Sequence, residues 1–326
     1  MKETEYAYAV AYTHTLENRM LKKAAYEVLL NASSFEEALR VLSDKGYGGN
    51  AKTEQSPNAE TLLKEELAYA WNEVRNACPK DAPFEILLYQ NDFHNLKAIL
   101  KAVFSGTGYK DLILEPYTIS PDVIYSAVAE GKPESLTGIF KNPATEAYHI
   151  LACEGDGQLA EIRLDKALFS AVSEAANQTK NGFLINWVDL NIAVMDMKIA
   201  LRGAYSDKSK DFLRDSMLES KRINADCLAD AAVKDVSAML QIFTRSGFEE
   251  AAKAAKESAG AFDKWCDNEL IRYLQSARYK TFGFEPILGF LIGKQFELQT
   301  VRIILFGLKN GIPAEELRER MRETYV

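Results

Sequence analysis

Along almost the whole chain, apolar residues return every three or four positions, the period of a helix with one buried face. Tyr6, Val10, Leu16, Met20 and Leu21 set this pattern near the N-terminus and predict one long helix reaching about Leu30. Ser33 or Ser34 then offers a hydroxyl to the open amides of a second helix, with Glu36 and Glu37 in its first turn and Gly46 and Gly48 at its end. The polar stretch 49–58 reads as a loop. Further helices are predicted near 60–76, from the turn at 78–83 through Asp92 to Ser105, near 143–153, 159–176, 183–205, 225–245, 249–258 and 262–278, and over 286–308. Pro121 behind Ser120, and Asn224 in a matching place, mark two helix starts. A last helix begins at Pro313, with acids in its first turn and bases in its last, as the helix dipole favours. Strand-like alternation is hard to find, so the predicted class is all-α.

The pattern also repeats. Asp92-Phe-His-Asn-Leu-Lys97, Asp189-Leu-Asn-Ile-Ala-Val194 and Glu297-Leu-Gln-Thr-Val-Arg302 each place a carboxylate at the opening of an apolar helix, and these acids stand 97 and 108 residues apart. The block from Ile119 to Ala127 matches that from Ile223 to Ala231, and Asp165, Leu168 and Val172 match Asp267, Leu270 and Leu274. The order and spacing of these matches make the repeat credible where a single match would not. They predict three similar helical domains, 1–115, 116–220 and 221–326, able to build a body with approximate threefold symmetry around an axis.

Composition supports helix and narrows the function. Glycine (18) and proline (9) are sparse in 326 residues, while Ala, Leu, Glu and Lys are plentiful. A net charge of −8 argues against unspecific binding to nucleic acid or to an anionic lipid surface, both of which need a basic face. Cys78, Cys153, Cys227 and Cys266 form no closely spaced pair, and no histidine completes a zinc site beside them. They read as buried or free thiols in a reducing compartment. The opening residues lack the apolar core of a secretory signal, and no uncharged apolar run is long enough to cross a bilayer. The expectation is a soluble, cytoplasmic chain.

Candidate chemistry is thin. Asp92, Asp189 and Glu297 suggest a general acid/base set, but a catalytic group is needed once whereas these recur in every repeat, as structural contacts would. Buried, each would need a partner such as Lys97, Lys198 or Arg302. His94 follows Asp92 by two positions, so on a helix the two side chains diverge. His14 and His149 lie far from any ligand set, and no metal or cofactor is expected. Gly46 to Gly49 and Gly106 to Gly108 lack the lysine and strand context of phosphate loops and read as helix ends. The run from Phe284 to Gly293 is bracketed by Glu285, Lys294 and Glu297 and reads as a core helix rather than a membrane-seeking one.

Several segments resemble a known family. Tyr6-Ala-Tyr-Ala-Val10, Tyr26-Glu-Val-Leu-Leu30, Phe35-Glu-Glu-Ala-Leu39, Phe284-Glu-Pro-Ile-Leu288, Glu297 through Ile304 and Gly307 through Arg318 are similar to the C subunits of bacterial and archaeal V-type (A-type) rotary ATPases, whose eukaryotic counterparts are the d subunits. The Asp92 block also resembles the family's acid-x-x-Asn-Leu pattern, from which the Asp189 block departs with Ile192 and Ala193. The resemblance implies three helical domains arranged as a funnel, no catalytic residues, and a place on the cytoplasmic face of the membrane. There the chain would join the central-shaft subunits (D and F types) to the membrane rotor ring and couple ATP hydrolysis or synthesis to proton or sodium transport. The alternatives are an unrelated helical scaffold that binds peptides or partner helices and, last, a small-molecule enzyme built on Asp92 and His94.

Overall fold

A computed structural model describes residues 3–48, 58–206 and 208–326. The loop expected at 49–58 lies outside the described residues except for Asn58. Among the described residues there are sixteen α-helices and no strand, so the all-α class holds.

The helices recur in a fixed order of two short and two long. The short α2 (Lys23–Leu30) and α3 (Phe35–Asp44), which follow α1 (Ala7–Glu17), precede the long α4 (Ala59–Ala77) and α5 (Glu85–Ser105). The short α6 (Pro121–Ala129) and α7 (Lys141–His149) precede the long α8 (Gly157–Thr179) and α9 (Gly182–Tyr205). After α10 (Lys210–Ser216), the short α11 (Ala225–Lys234) and α12 (Val236–Arg245), joined by α13 (Glu249–Glu257), precede the long α14 (Ala259–Gln275) and α15 (Glu285–Lys309). A short α16 (Ala314–Arg320) follows.

Local chemistry accounts for many of the boundaries. Ser34 accepts the amide of Glu37 while Glu37 takes the Ser33 N–H and hydroxyl, closing the start of α3 from both sides. Asn58, Asn181 and Asn224 cap α4, α9 and α11 with their side-chain oxygens. Gly106 ends α5 with a left-handed backbone, φ 69°, a conformation glycine adopts without a Cβ penalty.

Two expected helices are interrupted. The N-terminal helix breaks at 18–22, because the Leu21 N–H is drawn to the Glu297 carboxylate and Arg19 and Met20 form tight turns back to Leu16 and Glu17. The helix expected over 225–245 breaks at Asp235, whose extended backbone lets its side chain accept the Ala238 N–H at 2.7 Å and start α12 afresh.

The chain forms two compact units, Met1–Ala82 with Lys253–Val326, and Pro83–Ala252. In the first, α15 packs on α2, α3 and α4. Leu298, Val301, Ile304 and Leu305, one stripe of α15, meet Tyr26, Leu29, Leu42 and Leu63 in a single core. In the second, α5 packs on α6 and α8, and α9 on α8, α11 and α12. Thus α5 and α9 each pack on the short helix that opens the next set, α6 and α11, whereas α15 packs on α2, which opens the first. These units do not follow thirds of the sequence.

Candidate functional site

The three recurrent carboxylates lie within their helices rather than at the openings, and each takes a main-chain amide from the segment just before a short helix. Asp92, fully buried on α5, accepts the N–H and hydroxyl of Thr118 at 2.8 and 2.6 Å, ahead of α6. Asp189 on α9 accepts the Lys221 N–H at 2.8 Å and the Ser220 hydroxyl at 3.1 Å, ahead of α11, and pairs with Arg222 at 3.3 Å. Glu297 on α15 accepts the Leu21 N–H at 2.6 Å, ahead of α2. A helix interior has satisfied its own amides, so these acids serve donors that their own helix cannot reach.

The electrostatic solutions differ. Glu297 sits in a buried cluster where Lys294 reaches Glu297 at 2.6 Å and Glu66 at 3.0 Å, and the Tyr47 hydroxyl donates to Glu297. Burial pulls the Lys294 ammonium down, but the two carboxylates beside it override that and hold its pKa above the ordinary lysine value. Tyr47 and Tyr26 are driven well above the usual phenol range, first by burial and then by the Glu297 charge. Asp92 is raised by burial, against which the Thr118 and Ile119 hydrogen bonds work. Two of the bases foreseen as partners serve elsewhere, Lys97 on Asp165 and Arg302 on Glu60.

Two further buried groups complete this pattern. Asn95 pairs with both main-chain groups of Leu114, at 2.8 and 3.0 Å. Ile192, at the corresponding place of the second block, has no polar atom to do this. One turn further on, Asp196 instead accepts the Leu218 N–H at 3.0 Å. Asp196 is fully buried and burial raises its pKa to about 7, offset in part by the Leu218 amide and the charges of Arg214 and Lys166. Its sequence signal is a lone acid in the apolar run Ile192-Ala-Val-Met-Asp196-Met.

Nothing here assembles a reaction centre. His94 is exposed and contacts the Leu112 carbonyl at 3.1 Å while Asp92 faces Thr118, so the two diverge. His14 meets Glu17 at 3.0 Å, and the His149 ring lies against Tyr148. No disulfide joins the four cysteines, and Cys78 is pushed up to about 12 by burial, the opposite of an activated nucleophile. Among the described residues, no group of three or more His, Cys, Asp or Glu is placed to hold a metal. None of their helices is long and apolar enough to cross a membrane. What the chain does present is surface: near the ends of α5, α9 and α15 stand Phe104, Tyr205 and Phe306, exposed by 40, 65 and 63%.

The model of the ATP synthase (C/AC39) subunit family matches residues 9–320. The chain belongs to that family. Among its relatives are the C subunit of the V-type sodium ATPase of Enterococcus hirae, 20% identical over 95% of each chain, and the C subunit of the V-type ATP synthase of Thermus thermophilus, 21% identical over 97% of this chain and 98% of that one. The C subunit of the A-type ATP synthase of a Desulfurococcus species is 21% identical over 98% of this chain and 91% of its own. As a member, the chain is a non-catalytic subunit of a V/A-type ATPase or ATP synthase complex, and its partners lie within that complex.

Proposed function

We propose that this protein is the mechanical adaptor of the rotor, joining the central shaft (D- and F-type subunits) to the membrane rotor ring on the cytoplasmic face, so that ATP turnover is coupled to proton or sodium movement. Its three similar helical domains, 1–115, 116–220 and 221–326, would form a funnel, with Asp92, Asp189 and Glu297 as structural ties in the repeat. The observation that carries this reading is the thrice-used tie from a long helix to the amides ahead of a short one. Torque passes through a body only as far as that body resists local opening, and buried, hydrogen-bonded joints between successive helix sets supply such resistance. Family membership supplies the rotary setting.

Reconstitution tests it. Mixed with purified shaft subunits and rotor ring of its own complex, the chain should bind both at once, one copy per rotor, by size-exclusion chromatography with light scattering. Binding to neither would refute the adaptor. The double variant Asp92→Ala/His94→Ala should leave ATP turnover of the isolated catalytic head unchanged while loosening coupling in the whole complex.

A further inference from the structure

Residues 321–326 leave the end of α16 at Met321 with an extended backbone, φ −69° and ψ 145°, and join no helix. One face of α14, with the turn after it, takes up their polar groups instead. Arg322 pairs with Asp267 at 2.9 Å. The Glu323 N–H goes to Asn268 at 2.8 Å and its carboxylate to Arg272 at 3.1 Å. The Thr324 carbonyl accepts from Gln275 at 2.7 Å, and Arg278 stands over the Tyr325 ring, 5.6 Å from its centre. Residues 268, 272, 275 and 278 follow one another at helical spacing, and their partners follow in the same order along the chain, so a single stripe reads the segment in register.

The segment has one large anchor. Tyr325 is 3% exposed and lies over Gly289 and Gly293 of α15. Glycine is a poor helix former, and two of them one turn apart leave a slot in which any side chain would meet the ring. Other residues of α15, Leu298, Val301, Ile304 and Leu305, hold that helix in the core with Tyr26, Leu29, Leu42 and Leu63. The slot therefore belongs to a helix that does not need the ring to stay in place.

Little is stranded if the segment leaves. Among the described residues, 322–326 make no hydrogen bond from main chain to main chain, so release breaks no ladder. Arg272 keeps Glu269 at 2.9 Å, and Arg278 keeps Glu17 at 3.6 Å. The side chains of the Glu323–Arg272 pair are 41 and 43% exposed, where water competes for both charges.

We propose that this face of α14 and α15 is a receptor for an extended segment carrying a base, an acid, a spacer and an aromatic ring in that order, and that residues 321–326 are its resident strap, able to leave and be replaced while the rest of the unit stays folded. Neither the strap nor its receptor depends on the rotor role proposed above.

Two experiments on the full chain test it. Trypsin can cut after Arg322 only once that side chain has left Asp267. Under native conditions it should do so at a rate that low urea does not raise, leaving α14 and α15 intact, as followed by mass; a segment cut only when the whole unit unfolds would overturn the proposal. Separately, the chain carrying Arg322→Glu and Tyr325→Ala loses both anchors of its own strap. It should bind a fluorescent peptide of the native sequence 321–326 at least tenfold more tightly than the unaltered chain does, read by anisotropy. Alanine in place of the peptide's tyrosine, exchange of its arginine and glutamate, or Gly293→Leu in the receptor should each weaken that binding about tenfold or more. Equal binding to both chains, indifference to the tyrosine, or no binding by a double variant whose circular dichroism matches the unaltered chain would overturn the proposal. Should the double variant fail to fold, the trypsin cut in the unaltered chain decides.

Discussion

Leu21 gives its main-chain N–H to the Glu297 carboxylate at 2.6 Å, across 276 residues of sequence. The same carboxylate holds Lys294 and Tyr47, so one side chain ties α15 to the segment between α1 and α2 and to the end of α3. Glu297→Ala leaves a buried ammonium with Glu66 alone and strands the Leu21 amide. The expected loss is about 3–5 kcal/mol of stability by urea titration. Glu297→Gln keeps an acceptor for Leu21 and should cost less; equal losses would assign the effect to charge alone.

The other two ties should rank below it. Asp92 is fully buried and bonds only to neutral donors, so Asp92→Ala should cost about 1–3 kcal/mol, the usual penalty for unmet buried amides. Asp189 retains side-chain exposure of 14% and water can replace it, so Asp189→Ala should cost less than Asp92→Ala. Thermal melts of the three alanine variants give the order directly.

Asp196 predicts a pH dependence. Its carboxyl has a pKa of about 7 in the fold, against an ordinary value near 4 in the unfolded chain, so between these limits the native state holds a proton that the unfolded state has released. Stability therefore falls as pH rises from about 4 to 7, by up to about 1.4 kcal/mol per pH unit from this group, and levels off above 7. Asp196→Asn keeps an acceptor for the Leu218 amide and cannot ionise. It should flatten that slope and be the more stable form at pH 8, as judged by urea midpoints at successive pH values.

The C-terminal residues make a close contact that a double-mutant cycle can measure. Tyr325, 3% exposed, lies over Gly289 and Gly293 of α15, where a Cβ would stand 2.6 Å from its hydroxyl oxygen and 2.5 Å from its Cγ. Gly293→Ala should cost about 1–3 kcal/mol by overpacking, and Tyr325→Ala about 3–5 kcal/mol by leaving a cavity. Combined, they should cost less than their sum, because removing the ring takes away the Cγ and Cδ1 contacts at 293 and leaves only the Cβ of residue 325, 2.7 Å away.

Sequence pattern made the helical class readable, since α4, α8, α9 and α15 each carry long apolar periodicity and Ser34, Asn58 and Asn224 sit where caps belong. Asp235 was equally readable as a cap, three residues ahead of the amide it accepts, but an unbroken apolar period across it favoured a single helix. The break at 18–22 was not readable, because its cause is Glu297, and local periodicity contains no term for a bond between residues so far apart. Repetition drew attention to Asp92, Asp189 and Glu297; it could not foretell that their main partners are amides. Asp196 escaped because it compensates within one block and so breaks the repeat that exposed the others.

The packing of α15 on α2, α3 and α4 sets a timetable for synthesis. Residues 83–252 emerge with their packing partners close behind them and can fold while translation continues. The N-terminal helices leave the ribosome early, carrying Tyr26, Leu29, Leu42 and Leu63, whose covering stripe is translated more than two hundred residues later. During that interval their apolar faces are exposed to chaperones and to other nascent chains, so premature termination between Ala252 and the start of α15 leaves a finished middle and an aggregation-prone beginning.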